Sequence, residues 1–149
     1  MKFGLDEKVV KDIVSILEYK PDNVIQSYEN FKKAFNKLKE FVDTDNGSEK
    51  DRGAIINAYQ YTFELFWKTL QKYLKQQELL DELGPGSVIR TAFQYNIIQD
   101  GETYMYMLKD RNLVTYTYKE DVAEEIHNRI KEEYITELEK FIEYFDKKI

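Results

Sequence analysis

The residues best suited to chemistry lie in one short segment, Thr103 to Asp121, which reads TYMYMLKDRNLVTYTYKED. Arg111 and Tyr118 are seven residues apart, about two helical turns, so a continuous helix would place them on one face with Thr115 between them. An arginine can hold a phosphate or a carboxylate through two parallel hydrogen bonds. The Tyr118 hydroxyl and the Asn112 amide can each donate and accept. This spacing suits contact with the phosphate of a nucleotide or of RNA.

The same residues also allow a purely structural interpretation. Arg111 would then pair with a carboxylate in the core, Tyr118 would pack at a helix end, and Asn112 would cap a helix. The spacing alone leaves both interpretations open.

The composition excludes several other kinds of site. The chain has 149 residues, no Cys and one His, which excludes disulfides, thiolate zinc sites, a cysteine nucleophile and a histidine-rich metal site. It contains no Gly-rich phosphate loop of the P-loop or Rossmann type. We expect no metal site and no cofactor. The net charge of −6 argues against a broad phosphate-binding face. We expect a cytoplasmic protein, because no apolar run resembles a membrane span or a signal peptide.

Helical periodicity extends through nearly the whole chain. The apolar spacing predicts helices at these residues: 6–19, 23–42, 51–83, 88–95, 102–111 with an extension to 115, and 119–147. Ser48 and Asp51 resemble a capping pair for the third helix, and the GPGS run at 84–87 is expected to end it. We therefore predict an all-α, antiparallel four-helix-type bundle with an extra short helix, as one domain over residues 1–149.

Several blocks of this sequence together resemble a known family. The DRN, LVT and YTY run is similar to a signature of the HEPN (higher eukaryotes and prokaryotes nucleotide-binding) superfamily. More narrowly, the chain resembles the nucleotidyltransferase substrate-binding proteins, which are encoded beside minimal nucleotidyltransferases. TFELFWKTLQKYL at 62–74, with Glu64, Trp67 and Lys68, resembles the long-helix signature of that family. GPGSVIRTAFQYNIIQDGETY at 84–104 resembles its next block.

The resemblance implies a HEPN-like bundle that forms homodimers and works with a nucleotidyltransferase from a neighbouring gene. In the superfamily pattern, four residues separate an arginine from a histidine, and one residue separates that histidine from a tyrosine. Active members use the arginine and the histidine as a metal-independent RNase site and act as toxins. Their partner can neutralise them by adding AMP to the tyrosine. By position, Arg111 is the motif arginine and Tyr118 the modifiable tyrosine.

This chain departs from that pattern at one position, where Tyr116 stands in place of the histidine. RNA cleavage needs a group that exchanges protons near neutral pH. A tyrosine with a pKa of about 10 is ionised to roughly one part in a thousand at pH 7, so Tyr116 cannot simply replace a histidine base. The only histidine, His127, lies eleven residues further on, and we interpret it as a surface or helix-packing residue.

We therefore predict a non-catalytic, homodimeric nucleotide-binding subunit of a two-component, toxin–antitoxin-like nucleotidyltransferase system. The predicted nucleotide or RNA contacts are Arg111, Asn112 and Tyr118, with Glu64, Trp67 and Lys68 in support. The main alternative is a HEPN-type RNase toxin with an altered site, and a ligand-free oligomerisation module is a third. Five tyrosines are candidates for a dimer face, and core packing is a comparable explanation for each of them: Tyr59, Tyr61, Tyr73, Tyr104 and Tyr106.

The first twenty residues stand apart from these blocks. Phe3 to Leu17 weakly resembles the opening helix of the partner nucleotidyltransferases, but the phosphate- and metal-binding residues of such an enzyme do not follow. We expect residues 1–20 to supply an ordinary bundle helix, with a fused remnant or a docking element as the alternatives.

Overall fold

A computed structural model of the chain describes residues 7–9, 23–79, 84–116 and 119–149, with Tyr116 described by its backbone alone. Residues 7–9 are helical and exposed, while the rest of the predicted first helix lies outside the described residues. The helices are α1 (Val24–Asp43), α2 (Glu49–Gln76), α3 (Pro85–Gln94), α4 (Gly101–Tyr116), α5 (Glu120–Arg129) and α6 (Ile135–Asp146). A π-helical turn, Ile130–Tyr134, joins α5 to α6. The described ranges contain no strand, which confirms the all-α bundle, and none of their helices is long and apolar enough to cross a membrane.

The apolar face of α1, which includes Tyr28, Phe31 and Phe35, packs into the core. Asn23 caps the helix by accepting a hydrogen bond from the Ile25 backbone N–H at 2.8 Å. Phe31 packs near Phe66 of α2, with ring centroids 5.9 Å apart, while Ser27 bonds to Thr69 further along α2 at 2.7 Å. Because the contacts run in opposite directions along the two helices, α1 and α2 are antiparallel.

The capping of α2 follows the prediction at its start and departs from it at its end. Ser48 accepts from the Asp51 N–H at 3.1 Å, as expected. The predicted end at Leu83 is wrong, because α2 ends at Gln76. Glu78 has a positive φ of 59°, and the Leu79 N–H reaches back to the Leu74 carbonyl at 2.9 Å. This Schellman arrangement satisfies the last carbonyls and reverses the chain, while Leu79 continues the apolar pattern.

The start predicted for the next helix is also wrong. Gly84 is the N-cap of α3 and Pro85 its first residue, so the helix begins three residues before Val88. Proline suits this position because its fixed φ is helical and its missing N–H would have no partner there. The GPGS run therefore begins a helix. Asn96, with φ of 60°, forms the matching reversal after α3.

For two of the five candidate tyrosines, core packing is the correct alternative. Tyr59 and Tyr104 are buried, and their hydroxyls donate to the carbonyls of Met107 and Glu137 at 2.6 and 2.7 Å. Tyr61 and Tyr106 are exposed, while Tyr73 is partly buried against Phe145. The aromatic excess thus serves largely to fill the core.

A buried carboxylate ties α4 to the C-terminal helices. The side chain of Asp110 is 3% exposed and accepts from Arg129 Nε and Nη2 at 2.7 and 2.9 Å. The Tyr134 hydroxyl, which the π-helical turn carries, donates to the same carboxylate. Burial and the hydrogen bond to Asp110 raise the pKa of Tyr134, so the phenol keeps its proton. Tyr134 also stacks on Tyr59 with ring centroids 5.6 Å apart.

A second polar tie secures the loop between α1 and α2. Asp45, whose side chain is 1% exposed, binds Lys131 and His127 Nε2, each at 2.8 Å, and accepts from the Gly47 N–H at 3.0 Å. Burial opposes ionisation, but these hydrogen bonds outweigh it and lower the pKa of Asp45 to about 2. His127 is therefore a buried packing residue, and the surface placement considered for it is wrong.

We expect Arg129→Met to lower the free energy of unfolding by about 3 kcal/mol, because it leaves the Asp110 carboxylate buried without its main partner. Urea unfolding followed by circular dichroism measures the change. The double variant Arg129→Met, Asp110→Asn should be less destabilised than the single variant, since it removes the unpaired charge. Equal losses in both variants would contradict the assignment.

We also expect the interactions of the Asp45 carboxylate with Lys131, His127 and the Gly47 N–H to stabilise the fold above about pH 4. This stabilisation should be lost as the pH falls toward 2. The direction follows because the pKa of Asp45 is about 2 in the folded chain and about 3.9 in an unfolded one. Asp45→Asn should cost about 2 kcal/mol at pH 7 and progressively less at pH 4 and 2.5 in urea unfolding. Asp43→Asn, at an exposed carboxylate, is the control. A cost for Asp45→Asn that is independent of pH would contradict this tie.

Candidate functional site

Arg111 of α4 and Glu64 of α2 form the centre of the candidate site. Arg111 Nη2 donates to Glu64 Oε2 at 2.6 Å, although the two residues are 47 positions apart in sequence. Both side chains are partly exposed, at 30% and 28%. The contact therefore lies at the surface of the bundle, where a ligand can reach it.

Glu64 also contacts the two other residues of α2 that were predicted to support the site. Trp67 Nε1 donates to Glu64 Oε2 at 3.0 Å, and Lys68 Nζ lies 3.2 Å from Glu64 Oε1. These partners stand three and four positions along α2, which is the spacing that brings helical side chains together. Burial works against ionisation of Glu64, but the hydrogen bonds from Trp67 and Lys68 and the charge of Arg111 outweigh it, so its pKa is lowered.

The remaining polar residues of α4 lie around the arginine. Asn112 Oδ1 accepts from Arg111 Nη1 at 3.1 Å, and Thr115 donates to the Arg111 carbonyl at 2.9 Å. Gln60 of α2 donates to Thr115 at 3.1 Å and so extends the polar row. Asn112 lies inside α4, so it does not cap a helix.

The structural interpretation of Arg111 is thus only half right. Arg111 does pair with a carboxylate, but that carboxylate, Glu64, is partly exposed. The core carboxylate is its neighbour Asp110, which binds Arg129. Adjacent residues of α4 therefore point in different directions, one into the bundle and one to its surface.

A groove lies beside this cluster and includes Gln60 in its lining. It encloses about 480 Å³ between α2, the end of α4 and the start of α5. Its apolar lining includes Ile56, Val114 and Val122, and its polar lining includes Arg52 and Glu120, whose charged atoms are 3.5 Å apart. An apolar floor with a few polar groups at the rim is the usual character of a small-molecule site.

The structure places only some of the predicted site residues. It brings together Arg111, Asn112, Glu64, Trp67 and Lys68. Tyr116 is the last residue of α4, but its side chain and the whole of Tyr118 lie outside the described residues. The contacts given for His127 are with Asp45, away from this cluster.

Sequence reasoning missed two features of the site. Gln60 carried no signal, since a glutamine on a long amphipathic helix is common. Asp110 did carry one, because it continues the buried three-residue spacing of Tyr104 and Met107 on α4. A carboxylate at a core position requires a buried partner.

The described side chains around Arg111 carry a local excess of positive charge. No group of histidine and carboxylate side chains within the described ranges could hold a metal ion. Arg111 and Lys68 supply two cations around the one carboxylate of Glu64, which leaves an excess positive charge. Guanidinium N–H groups beyond those bound to Glu64 and Asn112 can meet an anion at the surface.

Comparison with known proteins identifies the family of this chain. The model of the family described as "nucleotidyltransferase substrate binding protein like" matches residues 26–147. A crystal structure of a protein from Thermus thermophilus is 35% identical and superimposes with a TM-score of 0.69, over 75% of this chain and 95% of that one. No curated protein matches significantly. Because the family model covers most of the chain, this protein belongs to the nucleotidyltransferase substrate-binding protein family.

Proposed function

We propose that this chain is a non-catalytic, homodimeric, HEPN-like subunit that binds a nucleotide for a separate minimal nucleotidyltransferase in a toxin–antitoxin-like system. The observation that carries the proposal is the meeting of Arg111 with Glu64, Trp67 and Lys68. Two sequence blocks that define the resemblance thus contribute to one accessible cluster. The family implies a nucleotidyltransferase partner, since it is named for substrate binding to that enzyme.

The cluster suits a phosphate because its arginine is held in place before a ligand arrives. Glu64 and Asn112 each fix one terminal nitrogen of Arg111, at 2.6 and 3.1 Å. A guanidinium with a fixed orientation loses less side-chain freedom on binding than a mobile one. Lys68, whose side chain is 47% exposed, adds a second cation beside it.

The neighbouring groove supports a nucleotide over a free phosphate. Its apolar lining of Ile56, Val114 and Val122 can take the base and ribose, and Gln60 connects it to the polar row that leads to Arg111. The amide of Asn57 offers a donor and an acceptor to a base edge.

The chemistry at position 116 supports the proposal of a non-catalytic subunit. A tyrosine there supplies no base near neutral pH, and the one histidine of the chain is bound to Asp45. Among the described residues, the side chain of Arg111 contacts Glu64 and Asn112 and no histidine. The RNase toxin thus has less support than the binding subunit.

Self-association has support from exposed aromatic side chains. Phe93, Tyr95 and Tyr106 are each about half exposed on α3, the turn after it and α4. Aromatic residues of this kind are enriched at protein interfaces. A homodimer that covers this face is consistent with the resemblance.

We expect Arg111→Ala to weaken AMP and ATP binding at least about tenfold, because the main phosphate contact is lost. Isothermal titration of the purified protein measures the affinity. Arg90→Ala is the matched control, since Arg90 is an exposed arginine on α3, bonded only to Ser87 among the described residues. Equal affinities in the two variants would contradict the site. Cleavage of bulk RNA that Arg111→Ala abolishes would instead support the RNase toxin.

We also expect Tyr118 to accept AMP from the partner enzyme. Co-expression with the nucleotidyltransferase of the neighbouring gene, followed by peptide mass spectrometry, should find a single adenylyl adduct on Tyr118. Tyr118→Phe removes the acceptor oxygen with little change in shape, so the adduct should disappear. An adduct that persists in this variant or maps to another residue would contradict the assignment.

A further inference from the structure

Arg52, in the groove beside Arg111, is held loosely for an arginine that is largely buried. Its side chain is 16% exposed, and its ion pair with Glu120 spans 3.5 Å. Arg52 Nε is buried and has no hydrogen-bond partner in the described part of the chain. By contrast, Arg129 meets the Asp110 carboxylate through two bonds of 2.7 and 2.9 Å. Because an unpaired buried donor lowers the stability of a fold, a structural role alone does not explain Arg52.

The charge balance around Arg52 is the opposite of that around Arg111. Glu49 and Glu120 line the same groove as Arg52, and both are exposed. A phosphate beside Arg52 would therefore face two carboxylates and one cation, whereas a phosphate beside Arg111 meets two cations and one carboxylate. This difference favours the phosphates of a bound nucleotide at Arg111 and its uncharged base at Arg52.

The groove runs in the direction that this orientation requires. Its residues on α2 extend from Glu49 to Gln60, a rise of about 16 Å along the helix. Glu64, which binds Arg111, lies about one turn beyond Gln60. A nucleotide whose phosphates meet Arg111 can thus extend along α2 toward Arg52.

Gly53 opens the groove next to Arg52. It lines the groove and is exposed, and a Cβ at this position would have open space around it among the described residues. Packing therefore does not require a glycine here, although glycine inside a helix is less favourable than alanine. The missing side chain leaves room for a flat ring to lie against the backbone of α2.

We propose that this end of the groove selects guanine, an inference that rests on the nucleotide site proposed above. The terminal N–H groups of Arg52 donate to O6 and N7 of the base, the pairing by which an arginine fork recognises guanine. The exposed carboxylate of Glu120 turns from Arg52 to accept from the N1–H and the 2-amino group. The ring lies over Gly53.

The other bases fit these groups less well. Adenine has an amino group in place of O6, so it would present a donor to the donors of Arg52. Cytosine offers one amino group to a carboxylate, whereas guanine offers two adjacent N–H donors. Guanine alone presents an edge of two acceptors beside an edge of two donors, which matches an arginine next to a glutamate.

Isothermal titration of the full chain with GTP, ATP, CTP and 7-deaza-GTP tests the proposal. We expect GTP to bind about tenfold more tightly than ATP or CTP. 7-deaza-GTP, which lacks only the N7 acceptor, should bind several-fold more weakly than GTP. In Arg52→Met the two should bind equally, because the contact to N7 is already lost. Arg90→Met, at an exposed arginine of α3, is the matched control and should keep the difference.

These outcomes separate guanine selection from the nucleotide site itself. Equal affinities for all four triphosphates, or a preference for GTP over 7-deaza-GTP that persists in Arg52→Met, would overturn guanine selection alone. Arg111→Ala would then still weaken binding of every triphosphate. If none of the four binds, both the inference and the nucleotide site are overturned.

Urea unfolding of the ligand-free chain distinguishes base recognition from a structural role of Arg52. Arg52→Met removes the unpaired donor and keeps an apolar stem, so the urea midpoint should not fall. Gly53→Leu should also keep the fold, but it should weaken GTP binding at least about tenfold because it fills the space of the ring. A lower midpoint for Arg52→Met, or unchanged GTP affinity in Gly53→Leu, would overturn the proposal.

Discussion

The buried carboxylate of Asp110 is the constraint on which the arrangement of this bundle depends. A charge at 3% exposure is tolerated only when it is paired and hydrogen-bonded, and here Arg129 and Tyr134 meet both conditions. The π-helical turn carries Tyr134, and Tyr134 in turn stacks on Tyr59 of α2. One side chain thus fixes α4 against three other elements. The next residue along, Arg111, receives its position at the surface from that constraint.

Much of this fold could be predicted from periodicity. The stripe of Tyr28, Phe31 and Phe35 defines α1, and the Ser48–Asp51 pair marks the beginning of α2. The ends of helices were less predictable. The apolar pattern continues through Leu79, but the chain reverses at Glu78, because a Schellman turn keeps its own apolar contact and uses no glycine here. The π-helical turn has no sequence signal, since the residues on either side continue the same apolar spacing.

The candidate site was predictable in its parts and not in its geometry. Spacing within α2 placed Glu64, Trp67 and Lys68 within reach of one another, and spacing within α4 singled out Arg111 and Asn112. The contact between the two sets depends on how α2 and α4 pack, which no local pattern reports. The aromatic residues show the same limit. Tyr59 and Tyr61 are two positions apart on α2 and so lie on opposite sides of that helix, which leaves Tyr59 buried and Tyr61 exposed.

Asn57 of α2 lines the groove beside Arg111 and also a second groove, which lies between α1 and α2. A ligand in one groove would therefore contact a side chain that also lines the other groove. A ligand in one groove that changes the conformation of this side chain would change the binding free energy of a ligand in the other, and the coupling would be equal in the two directions. Such a linkage through a single amide would require no movement of the helices.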